Sequence, residues 1–168
     1  MAQNETVWTI VVAAGSGLRF GAAKQFEVIG GRRIVDWAVE EAAKHSVGVV
    51  VVLPAGQATG PGQVEGGATR SESVRRGLAA VPSDATIVCV HDAARPFASP
   101  VIFQRVISAV VDGADAAVPG VAVVDTIKQV NESEVVVVEG EVVNRKITSP
   151  EDLEWAVAHA NRLLAGEI

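Results

Sequence analysis

Short, almost wholly apolar runs alternate along the chain with longer stretches in which apolar residues recur at helical spacing. Apolar runs of this kind are typical of buried strands, and the helical spacing is typical of amphipathic helices. The pattern predicts strands at Trp8–Ala13, Val47–Leu53, Thr86–Val90, Ala114–Pro119, Val121–Gln129 and Glu134–Val138. It predicts helices at Ile34–His45, Ser71–Ala80, Ser99–Val111 and Pro150–Leu164. The glycine-containing segments Gly15–Lys24 and Ala55–Gly67 are predicted to be loops.

Strands that are apolar along their whole length, and that alternate with helices, favour a parallel sheet with both faces covered. The predicted fold is therefore a three-layer α/β domain with a mostly parallel sheet. A length of 168 residues suggests a single domain, residues 1–168. In open sheets of this type, ligands bind at the carboxyl ends of the strands. The expected site segments are Ala14–Lys24, Gly66–Ser73 and Asp92–Pro96.

Composition narrows the classes of partner. The formal net charge of −6 disfavours nucleic acid, although a nucleotide needs only local positive charge. Cys89 is the sole cysteine, so no internal disulfide can form, and its apolar surroundings predict a buried, unreactive thiol in a reducing compartment. Met1–Thr6 does not look like a signal peptide, and no apolar run approaches the roughly 20 residues that span a bilayer. We therefore expect a cytoplasmic protein with no membrane partner.

A glycine-containing loop at residues 13–21 directly follows the first predicted strand. Glycines in such a loop let backbone N–H groups approach phosphate oxygens closely. The loop is not a dinucleotide fingerprint, because Phe20 stands where the third glycine would be, and it lacks the Gly-Lys-Ser/Thr of a P-loop. Arg19 and Lys24 add two cations that suit a triphosphate. The residues alone leave open a second interpretation, a plain strand-to-helix turn with two solvated basic side chains.

Candidate chemistry is concentrated in five sequence blocks. The first block is Ala13-Ala14-Gly15-Ser16-Gly17-x-Arg19-Phe20-Gly21 with Lys24-Gln25-Phe26, and the second is Gly66-Gly67-Ala68-Thr69-Arg70-x-x-Ser73-Val74-x-x-Gly77-Leu78. The third block is Val90-His91-Asp92-Ala93-Ala94-Arg95-Pro96, and the fourth is Asp125-Thr126-Ile127-Lys128. The fifth block is Asn144-Arg145-Lys146-Ile147-Thr148-x-Pro150-Glu151-Asp152-Leu153. In this order the blocks resemble the 2-C-methyl-D-erythritol 4-phosphate cytidylyltransferase family, and the likeness covers nearly the whole chain.

The resemblance implies a Rossmann-like sheet of the nucleotidyltransferase type and a reaction of the isoprenoid precursor pathway. In that reaction a phosphate oxygen of the acceptor attacks the α-phosphorus of CTP, and pyrophosphate leaves. The implied cofactor is Mg²⁺ or another divalent cation. Two alternatives stay open: a cytidylyltransferase for ribitol 5-phosphate or another sugar phosphate, and a catalytically weakened nucleotide-binding protein.

The resemblance also implies roles for individual residues. The catalytic set is Arg19, Lys24 and Lys146. The nucleotide-binding set is Ala13, Ala14, Gly15, Ser16, Gly17, Gly67, Arg70 and Ser73. The acceptor-binding set is Asp92, Ala93, Arg95, Thr126 and Lys146, with Asp92 also the expected metal ligand. His91 is expected to be a structural residue at a strand end rather than a base.

One departure from the family affects assembly. After Asp125-Thr126 the family continues with several dozen residues that this chain lacks, including an arm that forms a dimer and reaches into the neighbouring site. Here the predicted strand Glu134–Val138 runs almost directly into Glu139–Lys146, which implies that the arm is deleted or reduced to a tight hairpin. We therefore expect that a family-type arm-swapped dimer does not form.

Overall fold

The structure is a computed structural model that describes residues 5–15, 23–121 and 135–168. The strands are β1 (Val7–Val12), β2 (Val28–Ile29), β3 (Arg32–Arg33), β4 (Gly48–Leu53), β5 (Gln63–Glu65), β6 (Ile87–Asp92), β7 (Ala116–Gly120) and β8 (Val135–Glu139). The helices are α1 (Ile34–Ala43), α2 (Arg70–Ala79), α3 (Pro100–Val111) and α4 (Pro150–Leu164), and a short 3-10 helix spans Lys24–Phe26.

Four parallel strands form the central sheet in the order β5-β4-β1-β6. Strand β1 lies between β4 and β6, with Ile10 opposite both Val50 and Val90. Strands β7 and β8 pair in parallel as a second, two-stranded sheet, and β2 and β3 form a small antiparallel pair. The mostly parallel sheet predicted from the sequence is confirmed.

Helices cover both faces of β1, because successive side chains of a strand point to opposite faces. Val11 is fully buried in a cluster with Val35 and Ala38 of α1. Its neighbour Ile10 lies under α2, where a Cβ on Gly77 would come within 2.5 Å of the Ile10 side chain. Glycine at this position therefore allows α2 to approach the sheet closely, and the three-layer arrangement is confirmed.

Helix α4 belongs to a second apolar cluster beside the β2–β3 pair. Ile147, Ala156 and Ala160 are fully buried there against Ile29 and Ile34. This packing fixes the middle of α4 against α1 and the β2–β3 pair. Within the described residues, no helix combines the length and the apolar character needed to cross a membrane.

The structure corrects several predicted boundaries. The predicted loop Ala55–Gly67 contains β5, which pairs with β4 and is too short and too polar to show in the hydrophobic pattern. Strand β6 runs two residues past its predicted end, because His91 and Asp92 continue the pairing with β1 although they are polar. The predicted strand Val121–Gln129 lies almost entirely outside the described residues.

Candidate active site

A cleft of about 630 Å³ opens at the carboxyl ends of β1 and β6, beside the first turn of α2. All three segments expected from the sequence contribute to it. Its walls are formed by Val12, Ala13, Ala14, Gly15, Lys24, Gln25, Gly67, Ala68, Thr69, Arg70, Ser73, Asp92, Ala93, Ala94, Lys146 and Thr148. The location therefore agrees with the rule for ligands in parallel sheets.

The segment that leaves β1 is held by hydrogen bonds on both sides. The Ala13 amide donates to the Val52 carbonyl at 2.8 Å and so prolongs the sheet ladder by one residue. At Gly15, two residues after Ala13, the carbonyl accepts a hydrogen bond of 3.2 Å from the buried side-chain amide of Gln25. Because a hydrogen bond holds the chain on each side of Ala14, Ala14 and Gly15 line the cleft at a fixed position.

A second glycine pair, Gly66 and Gly67, lies against that segment. A Cβ on Gly66 would come within 2.2 Å of the Ala14 Cβ, so a side chain cannot be accommodated between the two loops. The Gly67 amide donates to the Ser73 hydroxyl at 3.1 Å, and that hydroxyl donates to the Thr69 carbonyl at 2.9 Å. Ser73 lines the cleft, yet its hydroxyl is already used to hold the Gly67 loop on the N-terminus of α2.

Asp92 ends β6 between two cations. One carboxylate oxygen accepts from Arg70 at 3.0 Å, and the other accepts from the Lys146 amine at 2.8 Å. Burial opposes ionisation of this carboxyl, but the hydrogen bonds and charges of Lys146 and Arg70 outweigh burial and hold the pKa of Asp92 below its ordinary value. Asp92 is therefore ionised at neutral pH and orients both cations at the cleft wall.

The two lysines of the cleft are joined by the segment that follows Lys146. The Lys24 amine donates to the Ile147 carbonyl at 2.6 Å. The Ile147 amide in turn donates to the Ala94 carbonyl at 2.8 Å. The end of β6, the loop before α4 and the start of the 3-10 helix thus meet at one point, although they come from distant parts of the sequence.

Arg95, an expected acceptor residue, lies outside this cleft. Its guanidinium donates to the Asn144 carbonyl at 2.6 Å and borders a neighbouring cleft of about 640 Å³ between β6, α3 and β7. That neighbouring cleft shares Asp92 and Arg70 with the first one, but most of its wall is apolar. Arg95 supports the segment before Lys146 by this hydrogen bond.

His91 and Cys89 are structural residues of β6. His91 is buried, and desolvation lowers its pKa to about 4 although the charge of Asp92 opposes this shift. Its Nε2 atom has no hydrogen-bond partner among the described residues. Cys89 is only partly buried, contrary to the prediction of a buried thiol, but desolvation still raises its pKa and keeps the thiol protonated.

Four predicted site residues, Ser16, Gly17, Arg19 and Thr126, lie outside the described residues. Three further residues lie at or beside the cleft although their positions in the sequence predicted no role for them. Gln25 holds Gly15, Thr148 lines the cleft, and Asp152 binds the loop that carries Lys146. For Asp152 a signal was present, because Ser149 followed three residues later by an acid is the spacing of a capping box.

Few side chains at the cleft could bind a metal ion. In the described ranges no group of three or more His, Cys, Asp or Glu side chains could hold an ion. Among the cleft residues that the structure describes, Asp92 is the single carboxylate, and both of its oxygens bind cations. One carboxylate together with substrate phosphates and waters is a donor set that Mg²⁺ accepts, so the residues fit Mg²⁺ only with phosphates bound.

The cleft is chemically suited to a polyphosphate. Lys24, Lys146 and Arg70 supply positive charge, and the loops at Gly15 and Gly67 bring backbone close to the same space. The Arg70 side chain is 59% exposed and the Lys146 side chain 40%, so both can reach a ligand. Such an arrangement can bind phosphates and stabilise charge that develops on a transferred phosphoryl group.

Comparisons with known proteins agree with this geometry. The family model described as IspD: 2-C-methyl-D-erythritol 4-phosphate cytidylyltransferase matches residues 7–137. The bifunctional enzyme IspD/IspF of Nitrobacter winogradskyi is 45% identical over 149 residues, which cover 79% of this chain and 37% of that enzyme. The chain thus spans little more than a third of the length of that curated relative.

Solved structures show the same fold. The 4-diphosphocytidyl-2C-methyl-D-erythritol synthase of Anaerococcus prevotii superposes with a TM-score of 0.78 at 22% identity, covering 95% of this chain and 100% of that one. The 2-C-methyl-D-erythritol 4-phosphate cytidylyltransferase of Thermus thermophilus gives 0.73 at 29% identity, covering 94% and 99%. The match of the family model and the 45% sequence identity to the Nitrobacter enzyme point to the same family as the cleft. The chain belongs to the 2-C-methyl-D-erythritol 4-phosphate cytidylyltransferase family.

Proposed function

We propose that this chain transfers a cytidylyl group from CTP to 2-C-methyl-D-erythritol 4-phosphate and releases pyrophosphate. Family membership supports the reaction. The structural observation that carries the proposal is the meeting of Lys24 and Lys146 at the Ile147 segment, on one wall of a cleft that also contains Gly15 and Gly67. Two fixed amines beside two close backbone loops are what an in-line attack on a nucleotide phosphate requires.

The proposed step needs no covalent enzyme intermediate. A phosphate oxygen of the acceptor forms a new bond to the α-phosphorus of CTP, and the bond from that phosphorus to the bridging oxygen breaks. Pyrophosphate leaves with the electron pair of the broken bond. Because the attacking oxygen belongs to an ionised phosphate, no general base has to remove a proton. The protein therefore contributes position and positive charge rather than acid–base chemistry.

The proposed residues fall into a catalytic set and one binding set for each substrate. Lys24, Lys146 and Arg19 are the proposed catalytic cations, which stabilise the charge on the α-phosphate as the bond to pyrophosphate breaks. The nucleotide is held by the proposed set Ala13, Ala14, Gly15, Ser16, Gly17, Gly67, Arg70 and Ser73. The acceptor is held by the proposed set Asp92, Ala93, Arg95, Thr126 and Lys146. Ser73 acts in this scheme by holding the Gly67 amide, and Arg95 by holding the Asn144 carbonyl.

A divalent cation is part of the proposal. Mg²⁺ bound with the triphosphate would neutralise charge on the phosphate oxygens. Asp92 is the residue that would contact it, and it can do so when Arg70 turns from the carboxylate towards a phosphate. The high exposure of Arg70 allows that rearrangement. We also propose a cytoplasmic location. The acidic composition supports the further proposal that nucleic acid is not a partner.

Pyrophosphate release tests the proposal directly. The purified chain is assayed with CTP, UTP, ATP or GTP and with either 2-C-methyl-D-erythritol 4-phosphate or ribitol 5-phosphate, in the presence and absence of Mg²⁺. We expect release only with CTP, Mg²⁺ and the methylerythritol phosphate. Release with ribitol 5-phosphate alone would assign the other acceptor, and calorimetric binding of CTP without release would indicate a weakened nucleotide-binding protein. Equal binding of ATP and CTP would contradict the cytidylyl assignment.

A further inference from the structure

Asp152 is buried in the first turn of α4, with a side chain only 7% exposed. One carboxylate oxygen accepts three hydrogen bonds: from the Thr148 amide at 2.9 Å, from the Thr148 hydroxyl at 2.8 Å and from the Ser149 amide at 3.0 Å. The other oxygen forms an ion pair with Arg145 at 2.5 Å. Asp152 therefore binds both ends of residues 145–149, which we call the lysine loop.

The middle of the lysine loop supplies two contacts to the cleft. The Lys146 amine reaches Asp92 at the end of β6, and the Ile147 carbonyl accepts from the Lys24 amine. Helix α4 is itself fixed by Ala156 and Ala160, which are fully buried. The positions of both lysines thus depend on this loop, which the Asp152 carboxylate joins to a rigid helix and the Ile147 amide joins to the Ala94 carbonyl.

From these contacts we propose that Asp152 is a positioning residue for the transfer reaction: it fixes the lysine loop to α4 and so sets where Lys146 and Lys24 lie. The inference rests on the proposed function for its kinetic consequence, but the loop geometry that it describes exists without substrate. Asp152 does not itself line the cleft, and it acts through its neighbours, among which Thr148 is part of the cleft wall.

A simpler role as a helix cap does not account for the contacts. The hydroxyl of Ser149 already caps α4 by accepting from the Asp152 amide at 3.2 Å, and Pro150 occupies the first turn. The capping box accounts for this bond and for the one from the Ser149 amide to Asp152, but not for the contacts of Asp152 with Thr148 and Arg145. Asp152 instead directs both oxygens back to the lysine loop, and the hydrogen bond from the Thr148 hydroxyl, with those from the backbone amides, keeps its pKa low enough for full ionisation.

Two matched variants separate positioning from capping. Asp152→Ala and Ser149→Ala each remove one half of the same capping box, so both should lower the melting temperature. Only Asp152→Ala releases Arg145 and the Thr148 amide. We expect Asp152→Ala to lower kcat on the order of 100-fold, as for an ångström-scale misplacement of catalytic groups, with a smaller change in the KM for CTP. Ser149→Ala should keep kcat close to that of the wild type.

A labelling experiment reports on the loop without any turnover. Reductive methylation followed by peptide mass spectrometry gives the reaction rate of the Lys146 amine relative to Lys44, an exposed lysine after α1. The relative rate should rise several-fold in Asp152→Ala and stay unchanged in Ser149→Ala. If the wild type released no pyrophosphate, the proposed function would fail while this measurement still decided the positioning role.

Two further variants test the same positioning role. Asp152→Asn retains an acceptor for the Thr148 and Ser149 amides, so it should fold and give a kcat between those of the wild type and Asp152→Ala. Asp152→Ala should lower kcat by a smaller factor in a Lys146→Ala background than in the wild type, because part of the effect of Asp152 passes through Lys146. Equal losses of kcat in Asp152→Ala and Ser149→Ala, or an unchanged methylation rate in Asp152→Ala and Asp152→Asn, would overturn the inference.

Discussion

The Lys24 amine donates a 2.6 Å hydrogen bond to the carbonyl oxygen of Ile147, a residue 123 positions away in the sequence. This bond joins the segment after β1 to the loop before α4. Because Ile147 is fully buried and its amide is bound by Ala94, the accepting carbonyl has a fixed position. The Lys24 amine is therefore oriented before any ligand binds, which reduces the cost of assembling the site.

The first prediction concerns that amine. Lys24→Ala should lower kcat by a factor of about 100 or more, the loss typical of removing one donor that stabilises a transition state. It should also lower the free energy of unfolding by about 1 kcal/mol, because a hydrogen bond between distant segments is lost. Steady-state pyrophosphate release and urea denaturation measure the two effects. Lys44→Ala, which changes an exposed lysine, is the control and should alter neither quantity by much.

Lys24→Arg sharpens this test. The guanidinium is larger and planar, so it cannot place one compact charge at the Ile147 carbonyl and at a phosphate in the same way. We expect stability near that of the wild type but kcat still reduced. Near-normal turnover of Lys24→Ala at saturating CTP would show that Lys24 has no catalytic role.

A second prediction concerns the contact between the two glycine loops. Gly66→Ala would place a Cβ 2.2 Å from the Ala14 Cβ and 2.9 Å from the Ser73 hydroxyl oxygen, so at least one loop must move. We expect a loss of stability of about 1–3 kcal/mol from overpacking and a clear loss of CTP affinity by calorimetry. Gly60→Ala is the control, because its Cβ would meet only the side chain of Gln63, at 3.3 Å, and neither residue lines the cleft. A Gly66→Ala protein that binds CTP like the wild type would contradict the proposed role of this contact.

The hydrophobic pattern predicted the elements that bury apolar side chains. Helix α4 has the predicted bounds, and β1, β4 and the other helices differ from prediction by only a few residues at their ends. Strand β5 could not be predicted in this way, because its sequence Gln63-Val64-Glu65 places two polar residues at a sheet edge. Periodicity reports burial, and a short edge strand buries little.

The site was predictable only in part. Ligands of parallel sheets bind at the carboxyl ends of the strands, and this rule depends on topology alone. It therefore located the loops at Gly15, Gly67 and Asp92 from the predicted strands. The pairing of Lys24 with Ile147 and of Lys146 with Asp92 depends on tertiary contacts between distant segments, and spacing in the sequence carries no information about them. The role of Asp152 falls between these cases: its capping-box spacing is visible in the sequence, but its ion pair with Arg145 is visible only in the structure.

A third prediction follows from the burial of His91, whose pKa is lowered to about 4 by desolvation. In the unfolded chain the imidazole takes up a proton near its ordinary value of about 6.5, so the unfolded state binds more protons between these two pH values. Stability from this group is therefore fully present above about pH 6.5 and is lost as the pH falls towards 4. The loss should approach about 3 kcal/mol, since each pKa unit corresponds to about 1.4 kcal/mol.

Urea denaturation of the wild type and His91→Gln across this range isolates that contribution. The variant should be less stable at neutral pH, because the ring packs beside Phe103 at a centroid distance of 5.4 Å. The difference in stability between the two proteins should shrink as the pH is lowered, since only the wild type has the buried imidazole to protonate. A difference that stays constant from about pH 7 to about pH 4 would show that His91 does not titrate as a buried group.

The last prediction concerns assembly and follows from the length of one connection. Strand β7 ends at Gly120 and β8 begins at Val135, and the two strands pair in parallel with Ala116 opposite Val135. Parallel neighbouring strands require a crossover connection of about a dozen residues. Residues 121–134 provide little more than that length, so little chain is left to project as an arm.

We therefore expect light scattering to give the mass of one 17.4 kDa chain at micromolar concentration. Any cation that an arm would bring from a neighbouring subunit is then missing from the acceptor site. A charge-assisted hydrogen bond contributes about 1.5–3 kcal/mol, so the KM for the acceptor should be roughly tenfold or more above that of an enzyme whose arm supplies this cation. The affinity for CTP should not change, because the proposed nucleotide loops belong to one chain. Extending the chain between Val121 and Val135 with a longer hairpin should leave CTP binding unchanged, which provides an internal control. A dimer whose cross-links map to residues 121–134 would contradict the prediction, because it would mean that this connection reaches a second subunit after all.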